Sequence, residues 1–110
     1  MKHTYTIARQ FAAGHSLVGH PLCRHQHGHD WTITVTVSGI KSIDEQGLIR
    51  SKLGDFVDEC RGKNLNELNP AGTPSVQGIA MWAWERLVMG IPNLESIEIS
   101  TSEESARVTL

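Results

Sequence analysis

Only two cysteines, Cys23 and Cys60, occur among the 110 residues. One lies in a histidine-rich loop and the other on a helix face. No disulfide framework is therefore expected, and a reducing cytoplasm is the default setting. Long apolar runs are also missing, since none approaches the roughly 18 residues that a membrane-spanning helix needs. The opening stretch MKHTYTIARQF has neither an apolar core nor a small-residue cleavage pattern, so no secretory leader is expected. Basic blocks are absent too. Ten Lys and Arg against twelve Asp and Glu leave a formal charge of −2 with no one-signed cluster, which removes the electrostatic footprint of a nucleic-acid binder. There is no internal repeat, low-complexity tract or linker. These absences leave a single domain over residues 1–110, with 39% hydrophobic and 20% charged residues, as soluble globular chains have. A domain this small buries little surface alone, and oligomerisation is expected to cover more of it.

Hydrophobic periodicity sets out the elements. Thr4–Phe11 carries apolar Tyr5, Ile7 and Phe11 and reads as a strand. Trp31–Val37 is the clearest strand: Trp31, Ile33, Val35 and Val37 point one way, and Thr32, Thr34 and Thr36 the other. Lys41–Gly47 reads as a polar turn region. Leu53, Phe56, Val57 and Cys60 then recur at helical spacing, with an end expected near Gly62. Gly62–Gly72 reads as a polar loop. Thr73 as N-cap and Pro74 as first helical residue open a second helix, which runs to about Met89 on a stripe of Val76, Ile79, Ala80, Ala83 and Leu87. Leu94–Thr101 and Ala106–Leu110 alternate as third and fourth strands. The order ββ-αα-ββ predicts an α+β fold, an antiparallel sheet with helices on one face.

Five of the six histidines fall in one fifteen-residue window: His15, His20, His25, His27 and His29. His27 and His29 are two apart on the approach to the second strand, so an extended backbone projects both rings from one face. His15 closes the first strand segment. If the two strands pair antiparallel, it meets that face from the neighbouring strand, and three imidazoles converge on one Zn2+-like ion. The alternative, solvated loop histidines, suits His20 and His25 better. Cys23, four residues before His27, is a thiolate base beside the ion, a fourth ligand that closes the site, or a plain buried thiol. Trp82 and Trp84 offer a stacking platform for a heterocycle or, more in keeping with a helix, packing surface. Cys60 reads as a core residue.

The run FAAGH…GHPLCRHQHGH resembles the 6-pyruvoyl-tetrahydropterin synthase / 6-carboxy-tetrahydropterin synthase family, whose pattern is a strand ending F-x-A-A-H-like, then C-x-x-x-H-G-H. The stretches KNLNEL at Lys63–Leu68 and TPSVQGIAMWAWERL at Thr73–Leu87 are similar to later family elements. The resemblance implies the tunnelling (T-) fold, in which ββααββ subunits join their sheets into a barrel, commonly as homo-hexamers with active sites between subunits. It places His15, His27 and His29 at the zinc-ligand positions and Cys23 at that of the proton-abstracting cysteine. It further implies a lyase reaction on a small molecule, 7,8-dihydroneopterin triphosphate or a similar pterin.

The chain departs from the family pattern at several points. The Asp-His proton relay is replaced by Arg61 and Gly62. The glutamate that anchors the pterin ring is replaced by Thr101, although a two-residue shift would recruit Glu103. Gln77 stands where the helix pattern has a glutamate, and Gly47–Lys63 looks a few residues short, implying a shorter first helix. Three readings follow. The first is a zinc-dependent lyase resembling 6-carboxy-tetrahydropterin synthase. The second is a repurposed member with a modified-pterin or non-pterin substrate, in which His25 or His20 stands as substitute proton donor. The third is a non-catalytic metal-binding oligomer. A zinc hydrolase would need a carboxylate base near the metal, and the one nearby acid, Asp30, is expected to point away from His29.

Overall fold

The computed structural model describes residues 1–17, 25–68 and 72–110. Among these residues the chain runs β1 (Thr4–His15), β2 (His27–Ser38), α1 (Ile43–Cys60), α2 (Leu65–Leu68), α3 (Val76–Leu87), β3 (Leu94–Ser100) and β4 (Ser105–Thr109). The four strands form one antiparallel sheet in the order β1-β2-β3-β4. The expected α+β architecture is present. No helix among the described residues is long and apolar enough to cross a membrane.

Strand alternation decides which face the helices cover. Ile7, Phe11, Trp31, Ile33, Val35, Val37, Ile97 and Ile99 are buried on one side. The core stripes of α1 (Ile49, Leu53, Phe56, Val57, Cys60) and of α3 (Val76, Ile79, Ala80, Ala83, Leu87) close over them. The opposite face presents Thr32, Thr34 and Thr36, and Thr6 and Thr36 meet there through their hydroxyls at 3.2 Å. Both expected strands continue further than their apolar pattern: β1 reaches His15 and β2 starts at His27.

Three sequence-based boundaries are corrected. The segment read as a turn at Lys41–Gly47 is mostly helix, because α1 begins at Ile43 and runs for 18 residues. Ser42 caps it, its Oγ accepting from the Glu45 N–H at 3.2 Å, while Glu45 Oε2 accepts from the Lys41 N–H at 2.5 Å. This is a capping box in substance, hidden because the first turn is exposed and shows no apolar period before Ile49. The segment read as a polar loop contains α2 and a short parallel pairing with β1, seen in the bridge between Gly14 and Asn64. The N-cap of α3 is Ser75, not Thr73, and its Oγ accepts from Gly78 N–H at 3.1 Å. Pro74 therefore lies before the helix, and its carbonyl is free to serve elsewhere.

Gly78 is the tightest contact in this region. A Cβ there would lie 1.8 Å from the Thr73 carbonyl oxygen, a backbone atom that cannot swing aside. Gly78→Ala is expected to lower stability by about 1–3 kcal/mol, as an overpacked site does. Gly54→Ala in α1, where a Cβ meets nothing within 4 Å, is expected to raise it by up to about 1 kcal/mol through helix propensity. Urea unfolding of both variants checks the contrast. Equal midpoints would show that the Thr73–Ser75 loop is not seated on Gly78.

Candidate metal centre

The register of β1 against β2 builds the site. Phe11 pairs with Trp31, Ala13 with His29, and His15 with His27. All six belong to the helix-facing side, because every second residue on each strand shares a face. Opposite His29 the residue is only alanine, which leaves room above it for rings. The three imidazoles fill that room, with centroids 4.5 to 4.9 Å apart and planes crossing at 63° to 84°. One ligand nitrogen from each of His15, His27 and His29 can be chosen so that all lie within 4.8 Å of one another.

Beneath the rings lies Trp31, fully buried, edge-on to His15 at 4.9 Å and to His29 at 5.6 Å. Its indole N–H donates to Ala13 O at 3.1 Å, and Phe11 stacks behind it at 6.5 Å. His15 is 2% exposed, whereas His27 and His29 are half-buried at the rim. The triad thus has a solid floor and one side toward solvent.

Hydrogen bonds decide which nitrogens are available. His15 Nδ1 lies 2.8 Å from Pro74 O, and His27 Nδ1 lies 2.6 Å from His25 O. A carbonyl only accepts, so both Nδ1 atoms donate and, in the neutral rings, both Nε2 atoms are acceptors. His27 Nε2 and His29 Nε2 are 2.7 Å apart, so His29 donates the proton between them. His29 is held below the usual imidazole range, first by burial and then by His27, with Glu103 and Glu104 pulling the other way.

This donor set fits a divalent cation of the zinc type. Two ring N–H groups are tied to backbone carbonyls, the outer-shell arrangement that orients metal-binding histidines. The single proton between His27 and His29 is what a cation would displace. Small side-chain rotations would place all three nitrogens about 2 Å from one ion. No carboxylate joins the cluster among the described residues. Asp30, between His29 and Trp31, is exposed on the opposite side of the strand, as alternation requires.

The other sequence-based candidates fall in three groups. Cys23 and His20 lie outside the described residues. His25 is exposed, and its contribution is the carbonyl that holds His27. Thr101 and Glu103 sit in the β3–β4 turn, where Thr101 N–H donates to Glu104 O at 2.9 Å and Thr101 Oγ1 accepts from Glu103 N–H at 3.3 Å. Because Thr32 pairs with Ser100, this turn lies beside the histidine end of β2. The electrostatic pull of both glutamates on His29 agrees with that placement.

Arg61 caps α1, and its guanidinium reaches Asp58 at 3.5 Å in solvent. Gly62 has a left-handed φ of 71°, a conformation that costs an L side chain about 1–2 kcal/mol. It turns the chain onto the edge of β1, donating its N–H to Ala12 O at 2.7 Å. Trp82 packs on Phe56 at 5.0 Å with the Arg86 guanidinium over its ring, and Trp84 is half-buried against the core. Both tryptophans are thus used in packing. Burial pushes the Cys60 thiol up to about 12, with Glu59 adding to the rise, so it is inert, as expected of a core cysteine.

Sequence reasoning missed two contributors. One is the Pro74 carbonyl, a backbone group that no side-chain pattern announces. The other is Asn66, visible as part of KNLNEL but without a role until its contacts are seen.

Known proteins share this fold. The structure superimposes on 6-pyruvoyl tetrahydropterin synthase from Caenorhabditis elegans with a TM-score of 0.85, at 16% identity, covering 100% of this chain and 96% of that one. It matches the Plasmodium falciparum protein of the same name with a TM-score of 0.72, at 15% identity and 97% and 96% coverage. An uncharacterized protein from Wolinella succinogenes matches at 0.66, with 19% identity and 99% and 98% coverage. No curated protein matches the sequence significantly. The family model described as 6-pyruvoyl tetrahydropterin synthase matches residues 4–109, nearly the whole chain. The four-stranded antiparallel sheet with its helices is the T-fold of these neighbours, and the chain belongs to the 6-pyruvoyl tetrahydropterin synthase family.

Proposed function

We propose that this protein is a zinc-dependent lyase of the pterin-synthase type, resembling 6-carboxy-tetrahydropterin synthase and acting on dihydroneopterin triphosphate or a close relative. The observation that carries the reading is the triad, with two of its imidazoles oriented by backbone carbonyls so that their Nε2 atoms carry the lone pairs a cation would take. Bound zinc would act as a Lewis acid on substrate hydroxyl and carbonyl oxygens. His15, His27 and His29 would hold it and keep one side open. Cys23, by its place in the C-x-x-x-H-G-H run, would take the substrate proton as a general base. Glu103, beside His29, would accept from the pterin N–H edge, a charge-assisted bond that the Thr101 hydroxyl cannot match. In a repurposed member, His25, exposed and next to the ligand segment, would return the proton.

The protein would work as a homo-oligomer. Strands β1 and β4 are the edges of the sheet. The segment after α1 covers β1 from Ala12 onward, and the uncovered part of β1 and strand β4 are edges that invite pairing with another chain. A barrel of joined sheets would also enclose the threonine-rich face.

A second reading, a repurposed member with a different substrate, is favoured by Arg61, Gly62 and Thr101 standing where the family relay and anchor stand. Steady-state turnover of 7,8-dihydroneopterin triphosphate separates the two. The lyase reading expects product from the zinc-loaded protein and a rate at least 100-fold lower in Cys23→Ala, given the typical worth of a positioned base. No product from a fully zinc-loaded wild type would leave the repurposed reading standing.

A further inference from the structure

We infer that Asn66 is a positioning residue for the histidine triad, its carboxamide standing in for a peptide unit that pins the chain immediately after His15. The segment that follows α1 runs parallel along the outer edge of β1. Gly62 N–H donates to Ala12 O at 2.7 Å, and Gly14 N–H donates to Lys63 O at 2.9 Å. The next rung of this ladder falls at Ser16. At that point the chain has turned into α2 and no backbone group is left to supply it. Asn66 supplies it instead: its Oδ1 accepts from Ser16 N–H at 2.8 Å, and its Nδ2 donates to Ser16 O at 3.0 Å. A side-chain amide carries the same coplanar donor and acceptor as a peptide group, so both backbone groups of Ser16 are satisfied by one residue. Asn66 is itself held, its N–H donating to Asn64 Oδ1 at 3.1 Å.

The consequence falls on His15. Its backbone is fixed on one side by the Gly14 rung and on the other by the Asn66 clamp, while Pro74 O fixes the ring. Among the three imidazoles it is the buried one, the reference against which His27 and His29 must converge. Asn66 is exposed, so truncating it opens no core cavity, and water can replace both bonds to Ser16. Loosened alignment of His15, rather than unfolding, is the expected result. Loss of an outer-shell partner typically weakens metal binding by about 10–100-fold.

This inference rests on the metal-holding reading of the triad, and the test keeps the two apart. Zinc affinity is measured by competition with a chromophoric chelator for wild type, Asn66→Ala, Asn66→Asp, Glu67→Ala and His29→Ala. Cobalt(II) absorption serves as a probe of ligand geometry, and thermal unfolding of each metal-free protein is the control. Asn66→Ala is expected to bind zinc at least tenfold more weakly with an altered cobalt spectrum, at a metal-free midpoint close to wild type. Asn66→Asp, which keeps the acceptor and loses the donor, should fall between, and the exposed neighbour Glu67→Ala should match wild type. If His29→Ala loses zinc while Asn66→Ala matches wild type in affinity and spectrum, the clamp is overturned and the triad stands. A drop in affinity with an unchanged spectrum and an equal drop in metal-free stability assigns Asn66 a plain structural role and also overturns it. Wild type that binds no better than His29→Ala removes the metal reading, and the clamp with it.

Discussion

Zinc is expected to raise the unfolding midpoint of the wild-type protein by roughly 10–20 °C at about 100-fold excess over its dissociation constant, and His29→Ala is expected to abolish that rise. The first figure follows from mass action. Binding to the folded state alone contributes about 2.7 kcal/mol at that excess, and each kcal/mol moves the midpoint of a domain this small by about 4–8 °C. The second follows from the geometry. Among the described residues His29 supplies one of the three donor nitrogens of the cluster, and losing a ligand should weaken binding more than the 10–100-fold that loss of an outer-shell partner brings. His29 suits the test better than His15. It is half-buried at the rim, whereas His15 is sealed beneath it and bonded to Pro74 O, so its truncation costs less packing. Burial and His27 both hold its pKa down, so its loss should not destabilise the metal-free fold at mildly acid pH. Elemental analysis of the purified proteins gives the stoichiometry. A His29→Ala protein that still carries one zinc per chain, with an undiminished thermal rise, would place the ion somewhere other than this cluster.

How far the site was legible in sequence depends on which atoms build it. Trp31, Ile33, Val35 and Val37 announce their strand because β-branched residues alternate there without interruption. The parity that carries this strand back through His29 to His27 needs no further information. His15 joins them because β1 and β2 pair in a register that keeps odd positions opposite odd positions. The N-terminal limit of β2 was less legible, since His, Gly and Asp are poor strand formers and only pairing with Ala12, Ala13 and Gly14 keeps them extended. The first turns of α1 were hidden for the opposite reason: Asp44, Glu45 and Gln46 are good to fair helix residues but lie in solvent, so no apolar stripe marks them. Ser42 and Glu45 were the available signal. What side-chain patterns cannot show is the role of a backbone carbonyl. Pro74 O and His25 O select the tautomers of two imidazoles of the cluster, and nothing in the identities of Pro74 or His25 predicts it. Gly62, which the sequence resemblance sets against a relay histidine, is an instructive departure, because it adopts a backbone conformation that suits glycine. The change is coupled to how the chain leaves α1, and restoring a histidine there would strain that turn.

Trp31→Ala is expected to cost about 3–5 kcal/mol, the range for emptying a large aromatic from a packed core. For a domain whose whole stability is on the order of 5–15 kcal/mol, that brings the variant close to unfolding at ordinary temperature. Trp31 is fully buried, lies between Phe11 and the His15 and His29 rings, and ties β2 to β1 through its bond to Ala13 O. Its removal therefore takes out the core beneath β1 and β2 and the floor of the triad together. Trp31→Phe separates the two contributions. Phenylalanine keeps most of the packing but removes the indole bond to Ala13 O, a loss of about 0.5–1.5 kcal/mol because that carbonyl still faces β2 opposite His29, and it alters the edge-on contacts with His15 and His29. The expected pattern in urea is a large fall in midpoint for Trp31→Ala and a smaller one for Trp31→Phe. Zinc should rescue Trp31→Phe in part and Trp31→Ala little, since a cation can only stabilise ligands that are still held near one another. If Trp31→Ala unfolded within a few degrees of wild type, the packing beneath the triad would be looser than the contacts describe. The histidines would then owe their convergence to the Pro74, His25 and Asn66 anchors.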